Sequence, residues 1–231
     1  MMLTNRRVVV SGASRGIGRA LVLRLIEAGA QVACGARAEA ELAALAEAGA
    51  EVHPLDVRDP ASVEAFSSAV LQGGPVDALV NNAGVGTFGP IETFKVEDWD
   101  RIMETNVRGT FLLTQAFLGS LTSREGQVVN VTSDVSGRTF AGAAAYTASK
   151  HAQRAFTRAL QMETVDAGVR VTEIRSGVVT TYFNDGTPRD PDDGALSADD
   201  VSEAIVFALM QPKHVRVDEV LLHPRKQPVE F

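Results

Sequence analysis

The chain has 231 residues, 45% of them hydrophobic and 22% charged, with a formal net charge of −7. That is enough material for one soluble α/β domain, taken as residues 1–231. An acidic balance without a Lys/Arg-rich block argues against nucleic acid as a partner, and no run of about 18 apolar residues provides a membrane span. Cys34 is the single cysteine, so no internal disulfide is expected. Together with a polar N-terminus too short for a signal peptide, Met1 to Asn5, it points to a reducing, cytoplasmic setting. His53, His151, His214 and His223 are scattered without partners at ligand spacing, and no metal site is expected.

In chain order, Arg6 to Val10 reads as a short buried strand ending at Ser11-Gly12. Gly16 to Ala28 follows a helical period and Gly29 closes it. Gln31 to Ala36 is the second strand, Ala38 to Ala48 a helix, Glu51 to Leu55 the third strand, and Pro60 sits near the start of a helix reaching Leu71. Val76 to Val80 is the fourth strand and runs into Asn81-Asn82-Ala83-Gly84. Trp99 to Leu121 reads as two helical segments or one bent one. Gln127 to Thr132 is the fifth strand, Tyr146 to Asp166 a long helix, and Val169 to Ile174 the sixth strand. Residues 182–197, rich in Asp, Gly and Pro, read as a mobile loop. Asp199 to Met210 is the last helix and Glu219 to Leu222 the last strand. This alternation predicts a doubly wound parallel sheet with helices on both faces.

In such sheets ligands bind beyond the carboxyl ends of the strands. The Gly12 loop, Arg37, Asp56, Asn82, Ser133 and Gly177 all follow strand ends. Gly12, Gly16 and Gly18 lie where the first strand turns into the first helix, which lets backbone N–H groups and a helix N-terminus approach a pyrophosphate. Where a carboxylate would hold an unphosphorylated ribose, the second strand ends in Ala36-Arg37. Arg37, with Arg15, would clamp a 2′-phosphate, so NADP(H) is expected over NAD(H). Tyr146 and Lys150 are four apart and share a helical face. A neighbouring cation would pull the phenol toward a useful range for proton transfer, and Ser133 could offer its hydroxyl to the same substrate oxygen. Asn106 is a polar residue inside a partly apolar helical segment, where a buried amide satisfying local backbone groups is compatible with a functional role.

From Arg7 to Pro224 the chain resembles the short-chain dehydrogenase/reductase family. The resemblance rests on the Gly12/Gly16/Gly18 loop, Asp56-Val57, Asn81 to Gly84, Asn106, Ser133 thirteen residues before Tyr146, Lys150, and Gly177 to Thr181. It implies a single-domain Rossmann-type fold, a small-molecule carbonyl or alcohol substrate, and a homodimer or homotetramer. It also implies that Tyr146 is the general acid/base, that Ser133 polarises the substrate oxygen, and that Lys150 holds the nicotinamide ribose and lowers the Tyr146 pKa. Asn106 would hold a relay water. Ser14, Arg15 and Ile17 would join the glycines at the pyrophosphate, Asp56 and Val57 would border the adenine, and Asn82, Ala83 and Gly84 the adjoining ribose. Gly177, Val179 and Thr181 would meet the nicotinamide end.

Two departures stand out. The family usually has Pro-Gly where this chain has Ser176-Gly177, which would loosen a turn beside the nicotinamide. The C-terminal end, Val217 to Arg225, lacks the Gly-Gly of the acyl-carrier-protein reductase branch and is similar to NADP-preferring oxidoreductases of small polar or varied carbonyls. Val85 to Phe94, Asp134 to Ala143 and the short loop 182–197 would wall the substrate pocket. Arg138 would either meet an anionic substrate or stay solvated. The competing expectation is a non-catalytic dinucleotide-binding regulatory protein of the same fold, against which the intact set Asn106, Ser133, Tyr146 and Lys150 speaks.

Overall fold

The computed structural model describes residues 3–181, 183 and 194–228. Seven parallel strands form one sheet in the order β3-β2-β1-β4-β5-β6-β7. The strands are β1 (Arg7–Ser11), β2 (Gln31–Ala36), β3 (Glu51–Pro54), β4 (Ala78–Asn81), β5 (Gln127–Val131), β6 (Arg170–Ser176) and β7 (Glu219–Leu222). The helices between them are α1 (Gly16–Glu27), α2 (Glu39–Glu47), α3 (Pro60–Gln72), α4 (Val96–Met103), α5 (Gly109–Arg124), α6 (Ala144–Thr164) and α7 (Ala198–Leu209). Each strand expected from the sequence is present, with ends displaced by at most two residues.

Two apolar cores lie on opposite faces of the sheet. Val8 and Val10 point into one with Leu21, Leu25, Leu45 and Ile205 from α1, α2 and α7. Val9 points into the other with Phe66, Leu113, Phe117 and Leu160 from α3, α5 and α6. The Val-Val-Val run is legible because a parallel strand covered on both faces has no polar side to alternate with. Burying each such side chain stabilises the fold by about 1.5–3 kcal/mol.

The chain reverses its direction of winding between β1 and β4, which are paired through Val9 and Leu79. Their carboxyl ends therefore lie side by side at the topological switch point, where doubly wound sheets take ligands. Between α4 and α5 the chain makes a π-helical turn, Glu104–Arg108, with Asn106 buried at its centre. This resolves the bent helix anticipated over Trp99 to Leu121 as two α-helices joined without a break. Such π-turns recur at functional sites.

No described helix is long and apolar enough to cross a membrane, and no described group of His, Cys, Asp and Glu could hold a metal. Cys34 is buried, and burial together with Glu51 pushes its thiol up to about 12, so it stays protonated and unreactive.

Candidate active site

The glycine loop is built by close approach. Gly12 has φ +69°, and a Cβ there would stand 2.8 Å from the Cα of Ala83. Asn82 fastens the two loops: its Nδ2 donates to Ser11 O at 3.0 Å and Gly12 O at 3.1 Å, while Asn82 N and Ala83 N donate to Ser11 Oγ. Gly18 is the tightest point, since a Cβ would lie 2.2 Å from Gly12 O. Ile17 packs on the adjoining core. At the start of α1, Arg15 is extended with no side-chain cap and the first turn holds no acidic residue. Its first N–H groups thus keep the character of an anion site. This cradle suits a pyrophosphate. Ser14, Arg15, Gly16, Thr180 and Thr181 line a cavity of about 800 Å³ beside it, which does not extend to Tyr146.

Arg37 and Asp56, expected at the adenine end, lie close enough for the Arg37 charge to act on the Asp56 carboxyl. Arg58, which the sequence reading overlooked, grips Asp56 through Nε at 2.9 Å and Nη2 at 2.6 Å. Those hydrogen bonds hold the Asp56 carboxyl below the usual carboxylate range, and Arg37 adds a smaller pull in the same direction. Arg37 itself is exposed. Val57 is buried against Gly109, where a Cβ would meet Val57 Cγ2 at 2.7 Å, so its side chain anchors the start of α5.

Ser133, Tyr146 and Lys150 come together at the ends of β5 and α6, all buried. Ser133 Oγ donates to Asp134 Oδ1 at 3.1 Å or Ser176 O at 3.3 Å. Burial pushes the Tyr146 phenol above its ordinary range, a hydrogen bond with Ser133 pulls the other way, and the Asp134 carboxylate raises it further. Lys150 Nζ lies 5.6 Å from the centre of the Tyr146 ring. It donates to Gln153 Oε1 at 2.7 Å and Val131 O at 3.3 Å.

The expected lowering of the Tyr146 pKa by Lys150 does not emerge, and the phenol is raised instead. Burial is the reason, because it penalises the phenolate directly and also pulls Lys150 down to about 7, with Glu173 opposing. The phenol is held protonated, the form that donates to a carbonyl oxygen.

The Lys150 shift has a measurable sign. Its folded value lies below the ordinary 10.5, so the unfolded chain binds more protons between about pH 7 and about pH 10. The burial penalty is full below that window and fades through it. Apo-protein stability from this group should rise with pH, so the wild type should gain thermal stability over Lys150→Met between pH 7 and 9.5. Parallel pH profiles for the two proteins would remove Lys150 as the source.

Asn106 has its side chain committed: Oδ1 accepts from Val85 N, and Nδ2 donates to Val85 O and Ser149 Oγ, each at 2.9 Å. It braces the loop after β4 against α6. Gly84 closes that corner, since a Cβ there would sit 3.5 Å from Asn106 Oδ1 and 3.6 Å from Lys150 Nζ. Gln153 extends the network, donating to Thr110 Oγ1 at 2.9 Å, which donates in turn to Asn106 O at 2.7 Å. Gln153 was not singled out from sequence, although its i+3 spacing from Lys150 was the available signal.

At the end of β6, Ser176 is in register with Leu222, and Gly177 N donates to Leu222 O at 2.8 Å. Val178 N donates to Gln227 Oε1 at 3.0 Å, and Gln227 Nε2 reaches Asp134 Oδ2 at 2.7 Å. The turn expected to loosen without proline is instead pinned by β7 and the C-terminal segment. Val179 bridges to Leu196, and Thr181 lies against Gly16 of the glycine loop. Arg138 is engaged twice by Asp134 Oδ2, at 3.0 Å through Nε and 2.5 Å through Nη2. Its charge is already paired. Tyr182 and residues 184–193 of the expected substrate loop lie outside the described residues.

A family model described as short chain dehydrogenase matches residues 6–192. The chain is 36% identical over 245 aligned residues to a glycine betaine reductase of Emericella nidulans, covering 98% of this chain but 19% of that protein. It is 32% identical over 229 residues to an uncharacterised oxidoreductase of Staphylococcus aureus strain N315, covering 96% of this chain and 99% of the relative. Among solved structures, an alcohol dehydrogenase from the archaeon Thermococcus sibiricus, complexed with 5-hydroxy-NADP, superposes with a TM-score of 0.93 at 39% identity. That match covers 98% of this chain and 99% of the archaeal one.

Proposed function

The chain belongs to the short chain dehydrogenase family of nicotinamide-dependent oxidoreductases, and from that premise we propose that it interconverts a carbonyl and an alcohol with NADP(H). The observation that carries this reading is the meeting of Ser133, Tyr146 and Lys150 with Gly84 at the same sheet edge as the glycine loop. A nicotinamide held there would supply the hydride to the carbonyl carbon. Tyr146 gives its phenolic proton to the substrate oxygen, and Ser133 orients that oxygen by hydrogen bonding. Lys150, whose ammonium stands 5.6 Å from the centre of the Tyr146 ring, would hold the nicotinamide ribose. Asn106 fixes the loop after β4 against α6, so that Gly84 lies over Lys150. The exposed Arg15 and Arg37 favour the phosphorylated ribose, and the pairing of Asp56 with Arg58 softens the repulsion a 2′-phosphate would meet.

A cytoplasmic setting accords with the free, buried Cys34. A homodimer or homotetramer accords with the outer face of α5 and α6, where the exposed Phe111 meets Phe156 edge to face at 6.4 Å. The test is a titration of the purified protein with NADPH and NADH, followed by fluorescence of the reduced nicotinamide. NADPH should bind at least about tenfold tighter, one charge-assisted contact being worth that much. A preference for NADH would overturn the cofactor assignment, and binding of neither would overturn the enzyme reading.

A further inference from the structure

Two phenylalanines meet the Tyr146 ring and a third packs on one of them, one from each of the three stretches expected to wall the substrate. Phe88 and Phe183 each meet Tyr146 edge to face with ring centroids 5.5 Å apart, and Phe140 packs on Phe88 at 5.7 Å. Their exposures are 43% for Phe88, 45% for Phe140 and 36% for Phe183. A single exposed Phe needs no explanation, but three in contact form an apolar patch of the kind that marks a binding site. This one is centred on the proton donor.

The backbone holds the patch in shape. Gly89 N donates to Gly142 O at 2.8 Å, tying the Phe88 loop to the Phe140 loop. Gly86 gives the rings room, since a Cβ there would fall 2.8 Å from the Phe183 ring and 3.1 Å from the Tyr146 ring. Arg138, in the same loop as Phe140, has its guanidinium engaged by Asp134. Phe88 and Phe140 thus stand on loops that are tied together, and the cation beside them is neutralised by Asp134.

We infer that the substrate is an apolar carbonyl bearing an aryl group beside the C=O, its ring seated against Phe88, Phe140 and Phe183 while its oxygen faces Tyr146 and Ser133. Aromatic rings prefer the tilted and edge-on contacts this cluster already shows. A small polar or anionic carbonyl would leave the patch wet and find no free cation among the described residues of these loops. The inference rests on the carbonyl-reduction reading, and it narrows the varied or polar carbonyls to which the C-terminal sequence leaned.

Acetophenone and hydroxyacetone, an aryl and a small polar methyl ketone, test it. With NADPH, kcat/KM for acetophenone should exceed that for hydroxyacetone by about tenfold or more. Phe88→Ala and Phe140→Ala should each lower the acetophenone value by about tenfold through KM, an effect of the size expected for one buried aromatic contact. Unchanged NADPH fluorescence in the variants shows that the fold is intact. Calorimetry of acetophenone with the NADP+-loaded protein reads binding independently of turnover. Hydroxyacetone reduced as well as acetophenone, or variants that lower both equally, would overturn the aryl site and leave the enzyme reading standing. Acetophenone binding weakened by both variants, with no carbonyl turned over, would support the aryl site and overturn the reduction instead. Absence of acetophenone binding overturns the aryl site whatever else is reduced.

Discussion

Tyr146→Phe should lower turnover by about 10²–10⁴-fold, the range for removing a positioned general acid, while NADPH binding changes by no more than a few-fold. The substitution deletes one oxygen and keeps the ring, so the edge contacts with Phe88 and Phe183 at 5.5 Å survive. Substrate and cofactor should still dock. The remaining groups are poor substitutes for the lost proton. Lys150 Nζ is directed to Gln153 and Val131 O, and the Ser133 proton is drawn to Asp134 or Ser176 O. Burial keeps the phenol protonated through the neutral range, so the reductive direction starts from the competent form. The rate loss should therefore be flat across neutral pH in the reductive direction. Measuring kcat for both proteins at saturating NADPH checks this, and an undiminished rate would remove Tyr146 from proton transfer.

The sheet was legible because its signals are short and local. Val8 to Val10 needed no alternation to be read as a strand, and Glu219 to Leu222 was bounded correctly by its flanking polar residues. The grouping of the site was legible for a related reason. In a doubly wound sheet, residues that follow strand ends must share one edge, so Gly12, Asn82 and Ser133 meet whatever the loops do in detail. The helical spacing of Tyr146 and Lys150 placed both on one face but left the direction of the ammonium open. Whether it turns to the phenol, to Gln153 or to a bound ribose depends on which acceptor the fold leaves nearby.

The same limit explains Asp134 and Arg138. An i, i+4 pair is visible in the sequence, yet its burial beside Gln227, 93 residues away, is a property of tertiary packing. Ser176 shows this from the other side. Its substitution for proline predicts a looser turn, but the hydrogen bonds that pin that turn come from Leu222 and Gln227. No local pattern announces them. The aromatic patch was divided among three loops far apart in sequence, and it takes the Gly89–Gly142 and Phe88–Phe140 contacts to show that two of them are neighbours.

Arg37→Asp should weaken NADPH binding by about 10–100-fold and leave NADH within a few-fold. A charge-assisted hydrogen bond to phosphate contributes about 1.5–3 kcal/mol, and the new carboxylate adds repulsion to its loss. The surroundings make the effect readable. Asp56, whose carboxyl feels the Arg37 charge, is already gripped by Arg58, so its charge does not mask a change at position 37. The side chain of Arg37 is exposed at the end of β2, and replacing it should leave the core under Ala33 and Cys34 untouched. Exposure also predicts a salt dependence, because solvent ions screen such a pair within about 8 Å at physiological ionic strength. The wild-type preference for NADPH should shrink as salt is raised, and the variant should show little change. Fluorescence titrations of both cofactors at low and high salt decide it. A preference that survives the substitution would move the 2′-phosphate away from Arg37, and Arg15 would then be the residue to replace.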